Sequence, residues 1–215
     1  MSTSVFPTGT ILGYPRIGRR RELKKAVESF WAGKISVDEL EATAAQLRAA
    51  TREHLLALGL GKKDSSIPEA FSYYDHVLDT AVTVGAVPTR FESLVGADGS
   101  VDLAGYFTIA RGEGNNVPAE MTKWFDSNYH YLVPEIGPET KFSLASDRRV
   151  REVAEATASG FRTRPVLVGP ITFLVRRGLS ARGSRVRLRR TVMVWRSLSM
   201  SLQSRATASP MRMPV

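Results

Sequence analysis

The chain has 215 residues, of which 43% are hydrophobic, with no cysteine and a formal net charge of +9. This length is enough for one substantial core or for part of a larger domain. The lack of cysteine excludes disulfides and thiolate metal ligands, and the lack of a run of about 18 apolar residues argues against a membrane span. No signal-peptide pattern opens the chain, so a cytoplasmic protein is expected. His54, His76 and His130 lie far apart in sequence, so no self-sufficient metal site is expected either.

The first predicted elements are a strand and two helices. Residues 10–14 form a short apolar stretch ended by Pro15, which predicts a buried strand. Apolar side chains at helical spacing predict a helix over residues 20–32. Ser36 and Glu39 form a capping-box signature that predicts the start of a second helix, whose apolar stripe continues to Leu58.

The middle of the chain continues this alternation. Residues 71–87 are expected to contain a helix, and turn-forming residues predict exposed loops at 97–100 and 111–118. Residues 147–159 are expected to be helical, and 164–170 to be a fully buried strand. This order of strands and helices favours an α/β fold.

The positive charge is confined to the end of the chain. Residues 1–175 hold 20 Lys and Arg against 21 Asp and Glu, whereas residues 176–215 hold 10 Arg, no Lys and no acid. One interpretation is an arm that binds RNA or an anionic surface. The favoured interpretation is a disordered or frame-shifted tail, because the apolar residues 192–195 show no periodicity. Nucleic-acid binding by the main part of the chain is therefore disfavoured.

Two segments carry binding chemistry. The cationic segment, residues 13–25, has six Lys and Arg around the start of the first helix, where the helix dipole disfavours cations. A bound carboxylate or phosphate would compensate. A solvated basic face, paired with Glu22 and Glu28, is the alternative.

The aromatic segment, residues 121–135, combines one lysine, one asparagine and four aromatic residues. Lys123 can pair with an anion and Asn128 can form hydrogen bonds, while Trp124, Tyr129 and Tyr131 offer flat surfaces for a ring. Core packing is the alternative for Trp124 and for Phe125, and a structural role is the alternative for His130 as a general base. No catalytic constellation and no metal site can be assembled by spacing.

Together the two segments resemble the N-terminal region of the cobalamin-independent methionine synthase family. The resemblance rests on motifs that extend from about residue 9 to 175, and they are 13–18, 21–24, 28–31, 74–78, 85–88, 121–137 and 165–174. It implies an α/β fold of two tandem (β/α)8 barrels, of which this chain supplies the first part of the N-terminal, TIM-type barrel. Residues 1–175 are then the folate-binding part, and residues 176–215 are the anomalous tail. A complete barrel needs about 250 residues.

The family transfers a methyl group from 5-methyltetrahydropteroyltri-L-glutamate to L-homocysteine to give L-methionine. The resemblance places the folate polyglutamate tail at positions Arg21, Glu22, Leu23, Lys24, Lys123 and Asn128. It also implies that the zinc, which activates homocysteine, is bound in a C-terminal barrel that this chain lacks. The chain alone is therefore expected to be inactive, either as a fragment or as a non-catalytic remnant. Its uncovered surface would favour self-association or a complementing C-terminal barrel chain.

Overall fold

The computed structural model describes residues 7, 9–137, 139–175, 192 and 194–200, and it divides the chain into two compact units. Of the described residues, the first unit comprises those up to Tyr73 and Arg149–Val166, and the second comprises those from Tyr74 to Arg148 and from Leu167 to Met200. The helices are α1 Glu22–Trp31, α2 Val37–Ala57, α3 His76–Thr83, α4 Leu103–Arg111, α5 Arg148–Ala158 and α6 Pro170–Val175, with a 3-10 helix at Thr89–Leu94. The strands are β1 Pro68–Glu69, β2 Met121–Lys123, β3 His130–Leu132 and β4 Arg164–Pro165.

Both helices predicted at the start of the chain are formed, although α1 begins at Glu22 rather than at residue 20. The Ser36 hydroxyl accepts a hydrogen bond from the Glu39 N–H, and the Glu39 carboxylate accepts one from the Ser36 N–H, so the predicted capping box is formed. The stripe of α2 buries Leu40, Ala44 and Leu55, but Leu58, just after the helix, is exposed. The apolar stripe therefore faces the core within α2 and no longer does so at the first residue after the helix.

The sheet of the first unit is shorter than predicted. β1 and β4 pair in parallel, with Pro68 opposite Arg164 and Glu69 opposite Pro165. The expectation of a fully buried strand over 164–170 is wrong, because the strand has two residues and its side chains are only half-buried. The expectation of a buried strand over 10–14 is also wrong. This segment is not a strand, and Leu12 within it is 89% exposed.

The second unit packs α3 and α4 beside an antiparallel hairpin made by β2 and β3. The helices expected within 71–87 and 147–159 are confirmed as α3 and α5, and both predicted loops are irregular. The core of this unit brings together side chains from α3, β3, α6 and residues 194–195, and its buried members are Val77, Ala81, Val84, Ala86, Tyr131, Phe173, Val194 and Trp195.

Part of the arginine-rich tail is regular. Residues 194–200 are helical, and Trp195 donates a hydrogen bond from Nε1 to the Val168 carbonyl at 2.8 Å. The expected lack of regular structure after residue 175 therefore does not hold for this stretch. The prediction for residues 176–191, 193 and 201–215 falls outside the described residues.

The fold class is mixed α/β, as predicted, with two small sheets of two strands each. The described strands do not close into a barrel. In the described part of the chain, no helix is long and apolar enough to cross a membrane.

Candidate functional site

The start of α1 is built around a left-handed turn. Arg21 is the N-cap and has φ 64° and ψ 37°, and its side chain makes no capping hydrogen bond. The chain turns back at Gly18, which has φ +82° and whose Cα lies against the Glu22 carboxylate and the Leu47 side chain. A Cβ at Gly18 would collide with both, so only glycine fits there.

Glu22 supplies an anion at the helix start from within the protein. Its carboxylate accepts a hydrogen bond from the Arg20 N–H at 2.9 Å. Hydrogen bonds from its own N–H and from that of Arg20 hold the pKa of Glu22 below its usual value. The dipole of α1 is therefore partly compensated without a ligand, and a bound anion would meet the cationic side chains rather than these amides.

The cations of this turn are exposed, and one of them is paired. Lys24 Nζ lies 3.3 Å from the Glu28 carboxylate, one turn further along α1. Such an exposed pair contributes little stability, so Lys24 can exchange Glu28 for a ligand at low cost. Arg20 and Arg21 precede the first helical residue, so they are not held on one helical face with Lys24.

Leu23 cannot contact a ligand through its side chain. It is 3% exposed, and its N–H donates to the Ile17 carbonyl at 3.1 Å. Leu23 therefore anchors α1 to the core of the first unit, and Lys24, the next residue, is exposed.

A groove of about 710 Å³ lies beside this turn, between residues 14–20 and α2. The Tyr14 and His54 rings line it with their centroids 5.6 Å apart, and Arg19 and Arg20 also line it. The groove could not be predicted from the sequence, because the two segments that line it, residues 14–20 and the part of α2 from Leu47 on, are more than twenty residues apart.

The hairpin of the second unit carries the remaining predicted site residues. Lys123 ends β2 opposite His130 on β3, and Asn128 lies in the connecting turn. Lys123, Asn128 and His130 are all exposed. Trp124 N–H donates to the Tyr129 carbonyl at 2.7 Å, which closes the turn and fixes the position of Asn128.

The aromatic residues of the hairpin have divided roles. Trp124 packs against the core of the second unit and meets Tyr131 edge-on at 5.4 Å, so core packing is confirmed for Trp124. Tyr131 is 6% exposed and offers no face to a ligand, contrary to expectation. Phe125 and Tyr129 are 62% and 78% exposed, so core packing is wrong for Phe125.

The structure thus brings Arg21, Glu22 and Lys24 together in the first unit, and Lys123 and Asn128 together in the second. Each group presents exposed hydrogen-bond donors on a short, well-anchored turn. Chemically, each can bind a carboxylate, and neither contains a nucleophile beside a base.

Two buried ionic networks were not predicted. In the first unit, Arg52 contacts the Glu69 carboxylate at 3.1 Å and the Glu155 carboxylate at 2.7 Å, and Arg48 also contacts Glu155. Burial raises the pKa of Glu69 to about 7, against the opposing attraction of Arg52. These contacts join α2, β1 and α5, so they hold together the framework that carries α1.

In the second unit, Asp75 caps α3 by accepting a hydrogen bond from the Leu78 N–H at 2.7 Å. Burial raises the pKa of Asp75 to about 6. Arg148 pairs with Asp79 at 2.6 Å and lies over the Tyr106 ring. Asp75 and Asp79 therefore have structural roles, as a helix cap and as one partner of an ion pair.

No group of three or more His, Asp or Glu side chains that could hold a metal ion occurs among the residues that the structure describes. The zinc implied by the family resemblance therefore has no matching donor set in this part of the chain.

Fold and site together define a mixed α/β chain with two exposed turns that present cationic side chains. The chain belongs to the family described as the cobalamin-independent synthase N-terminal domain, whose match covers residues 8–207. The resemblance seen in the sequence to cobalamin-independent methionine synthase is thus confirmed.

Among curated relatives, the chain is 52% identical over 175 residues to the 5-methyltetrahydropteroyltriglutamate–homocysteine methyltransferase of Streptomyces coelicolor, a match covering 81% of the chain and 22% of the relative. It is 54% identical over 168 residues to the protein of that name from Mycobacterium tuberculosis, covering 78% of the chain and 21% of the relative. The chain thus spans about one fifth of the length of these relatives.

Proposed function

We propose that this chain is part of a methyltransferase of methionine biosynthesis and that it binds the polyglutamate tail of 5-methyltetrahydropteroyltri-L-glutamate. The observation that carries the proposal is the exposed cationic turn at the start of α1, in a chain that belongs to this synthase family. Arg21 and Lys24 would bind carboxylates of the tail, and Lys123 and Asn128 would bind the ligand at the hairpin.

The residue chemistry supports these roles unequally. The Arg21 guanidinium is exposed and can engage a carboxylate with two parallel hydrogen bonds. Lys24 offers an ammonium group already placed for a carboxylate, since it pairs with Glu28 in the free protein. Glu22 would act indirectly, by holding the turn through the Arg20 N–H, and Leu23 would act as a buried anchor.

Methyl transfer itself is a proposal for the complete enzyme. When bound, zinc would lower the pKa of the homocysteine thiol and make it a better nucleophile. The described residues contain no donor set that fits zinc, so we assign them ligand binding and no chemical step. We propose that they form the first part of a (β/α)8 barrel, and that the chain alone does not catalyse the transfer.

The test is a titration of the purified chain with 5-methyltetrahydrofolate bearing one or three glutamates. Arg21→Ala and Lys24→Ala should each weaken binding of the triglutamate about two- to fivefold, as loss of an exposed ion pair of about 0.4–1 kcal/mol implies. Binding of the monoglutamate should change less than twofold, because its single glutamate leaves fewer carboxylates for the turn.

Lys34→Ala is the matched control, since Lys34 is exposed just beyond the other end of α1. It should leave both affinities unchanged. Equal losses for the two folates, or an affinity that does not depend on the number of glutamates, would contradict the assignment.

A further inference from the structure

The groove between residues 14–20 and α2 is lined by aromatic and aliphatic side chains. The Tyr14 and His54 rings have their centroids 5.6 Å apart and their planes at 56°, so together they offer a contact surface for a flat ring. Ile17, which is 41% exposed, and Leu47, which is half-buried, add aliphatic surface. All four belong to the first unit. The groove therefore favours a ligand with a planar, apolar part.

Two guanidinium groups line the same groove. Arg19 and Arg20 are exposed, and within the described part of the chain the Arg19 guanidinium forms no hydrogen bond or ion pair. Glu22 also lines the groove, and its carboxylate attracts the Arg20 guanidinium and accepts a hydrogen bond from the Arg20 N–H. Two cations beside one acid leave a net positive charge, and Arg19 is available for an anion.

We propose that this groove binds the p-aminobenzoyl ring of the folate together with the first glutamate attached to that ring. The inference rests on the proposed function, in which Arg21 and Lys24 bind carboxylates further along the tail. Arg20 lines the groove and Arg21, the next residue, is the N-cap of α1, so a chain of glutamates that leaves the groove meets Arg21 next. Arg19 would bind a carboxylate of the first glutamate.

The benzoyl part of the folate matches the groove better than the pterin ring does. Both are planar, but the pterin carries no carboxylate and would leave the Arg19 guanidinium without an anionic partner. An amide joins the benzoyl ring directly to the first glutamate, so a flat apolar group and a carboxylate enter together. The groove volume of about 710 Å³ lies within the range of about 300–1,000 Å³ that is typical of small-molecule sites.

The first test uses two probes that differ in the ring. p-Aminobenzoyl-L-glutamate and N-acetyl-L-glutamate both carry an amide and two carboxylates, but only the first carries the ring. In an NMR titration of the full chain, the first probe should move the ring resonances of His54 more than the second does. The resonances that are missing from His54→Phe identify those of His54. Equal movements with the two probes, or no movement with the first, would overturn the proposal.

The second test measures the affinity of each variant for 5-methyltetrahydrofolate with one or three glutamates. His54→Ala should weaken both folates about two- to tenfold, because both carry the ring, and His54→Phe should stay within about twofold of the wild type because it keeps an aromatic surface. Arg19→Ala should weaken both about two- to fivefold, because both carry the first glutamate. Gln46→Ala is the matched control, since Gln46 is exposed on α2 outside the groove, and it should leave both affinities unchanged.

The variants separate the groove from the tail. Unchanged affinities of both folates for His54→Ala and Arg19→Ala, beside a selective loss of the triglutamate in Arg21→Ala, would overturn the groove assignment alone. Losses in His54→Ala and Arg19→Ala without any effect of Arg21→Ala would support the groove and overturn the tail assignment. All these side chains are exposed, so each variant should unfold thermally as the wild type does. The probe titration uses the wild-type chain and decides the proposal even if a variant is less stable.

Discussion

The buried carboxyl of Glu69 makes the stability of the first unit depend on pH. Glu69 is 5% exposed and contacts Arg52, which is itself 2% exposed and also pairs with Glu155. Burial raises the pKa of Glu69 from 4.5 to about 7 in the folded protein, so the folded protein holds a proton that the unfolded chain has already released.

The sign and size of the effect follow from this difference. Between pH 4.5 and about 7 the folded state binds more protons than the unfolded state, so the free energy of unfolding falls as pH rises. The contribution is full below pH 4.5 and is lost through pH 7. Between pH 6 and pH 8.5 this group alone should remove about 1.4 kcal/mol.

Urea unfolding at pH 6.0, 7.0 and 8.5 tests this expectation. Glu69→Gln keeps the shape of the side chain and cannot titrate, and Arg52 retains Glu155 as a partner. As pH rises from 6.0 to 8.5, the free energy of unfolding of Glu69→Gln should therefore fall by about 1.4 kcal/mol less than that of the wild type. Glu53→Gln is the matched control, because Glu53 is exposed on the same helix as Arg52, and it should follow the wild type. If Glu69→Gln and the wild type lose stability in parallel, the assigned pKa is wrong.

Two further changes test the second unit. Asp75→Ala should be less stable than Asp75→Asn by about 1 kcal/mol at pH 7, because both variants are neutral and only asparagine keeps an acceptor for the Leu78 N–H; equal urea midpoints would show that the cap contributes nothing. Asp75→Asn should also lessen the loss of stability that the wild type undergoes as pH rises from about 4 to 6, since burial raises the pKa of Asp75 to about 6. Trp195→Ala should lower the free energy of unfolding by about 3 kcal/mol, because it removes the hydrogen bond to Val168 and leaves a cavity in the core. Trp195→Phe should lower it by about 1 kcal/mol, because it removes mainly the hydrogen bond. Wild-type stability in Trp195→Ala would mean that this helix does not pack as described.

Local signals in the sequence were sufficient for the helices of the first unit. The capping box of Ser36 and Glu39 and the stripe of α2 depend on residues within a few positions of each other, so they could be predicted without a fold. The exposed cations of the cationic segment were predictable for the same reason. Their compensation by Glu22 was not, because it depends on the left-handed turn at Gly18 and Arg21.

Strand length and burial could not be predicted in this way. Residues 10–14 and 164–170 have the apolar composition of buried strands, yet the first is exposed and the second is only half-buried. A strand needs a partner for its backbone groups and cover for its faces, and both come from residues distant in the chain. The helix at residues 194–200 could not be predicted either, because its sequence shows no helical periodicity and Trp195 is buried by residues distant in the chain.

By itself, the sequence determined the family, the α/β class, the helices α1, α2, α3 and α5, and the exposed cationic and hairpin residues, since these depend on residue type and short-range spacing. Tertiary structure decided which apolar segments are covered, which aromatic rings remain exposed, and which carboxyls are buried beside arginines. The physical reason is that burial and pairing depend on which distant residues come together, and a side chain's exposure or pKa has no value until its neighbours are in place.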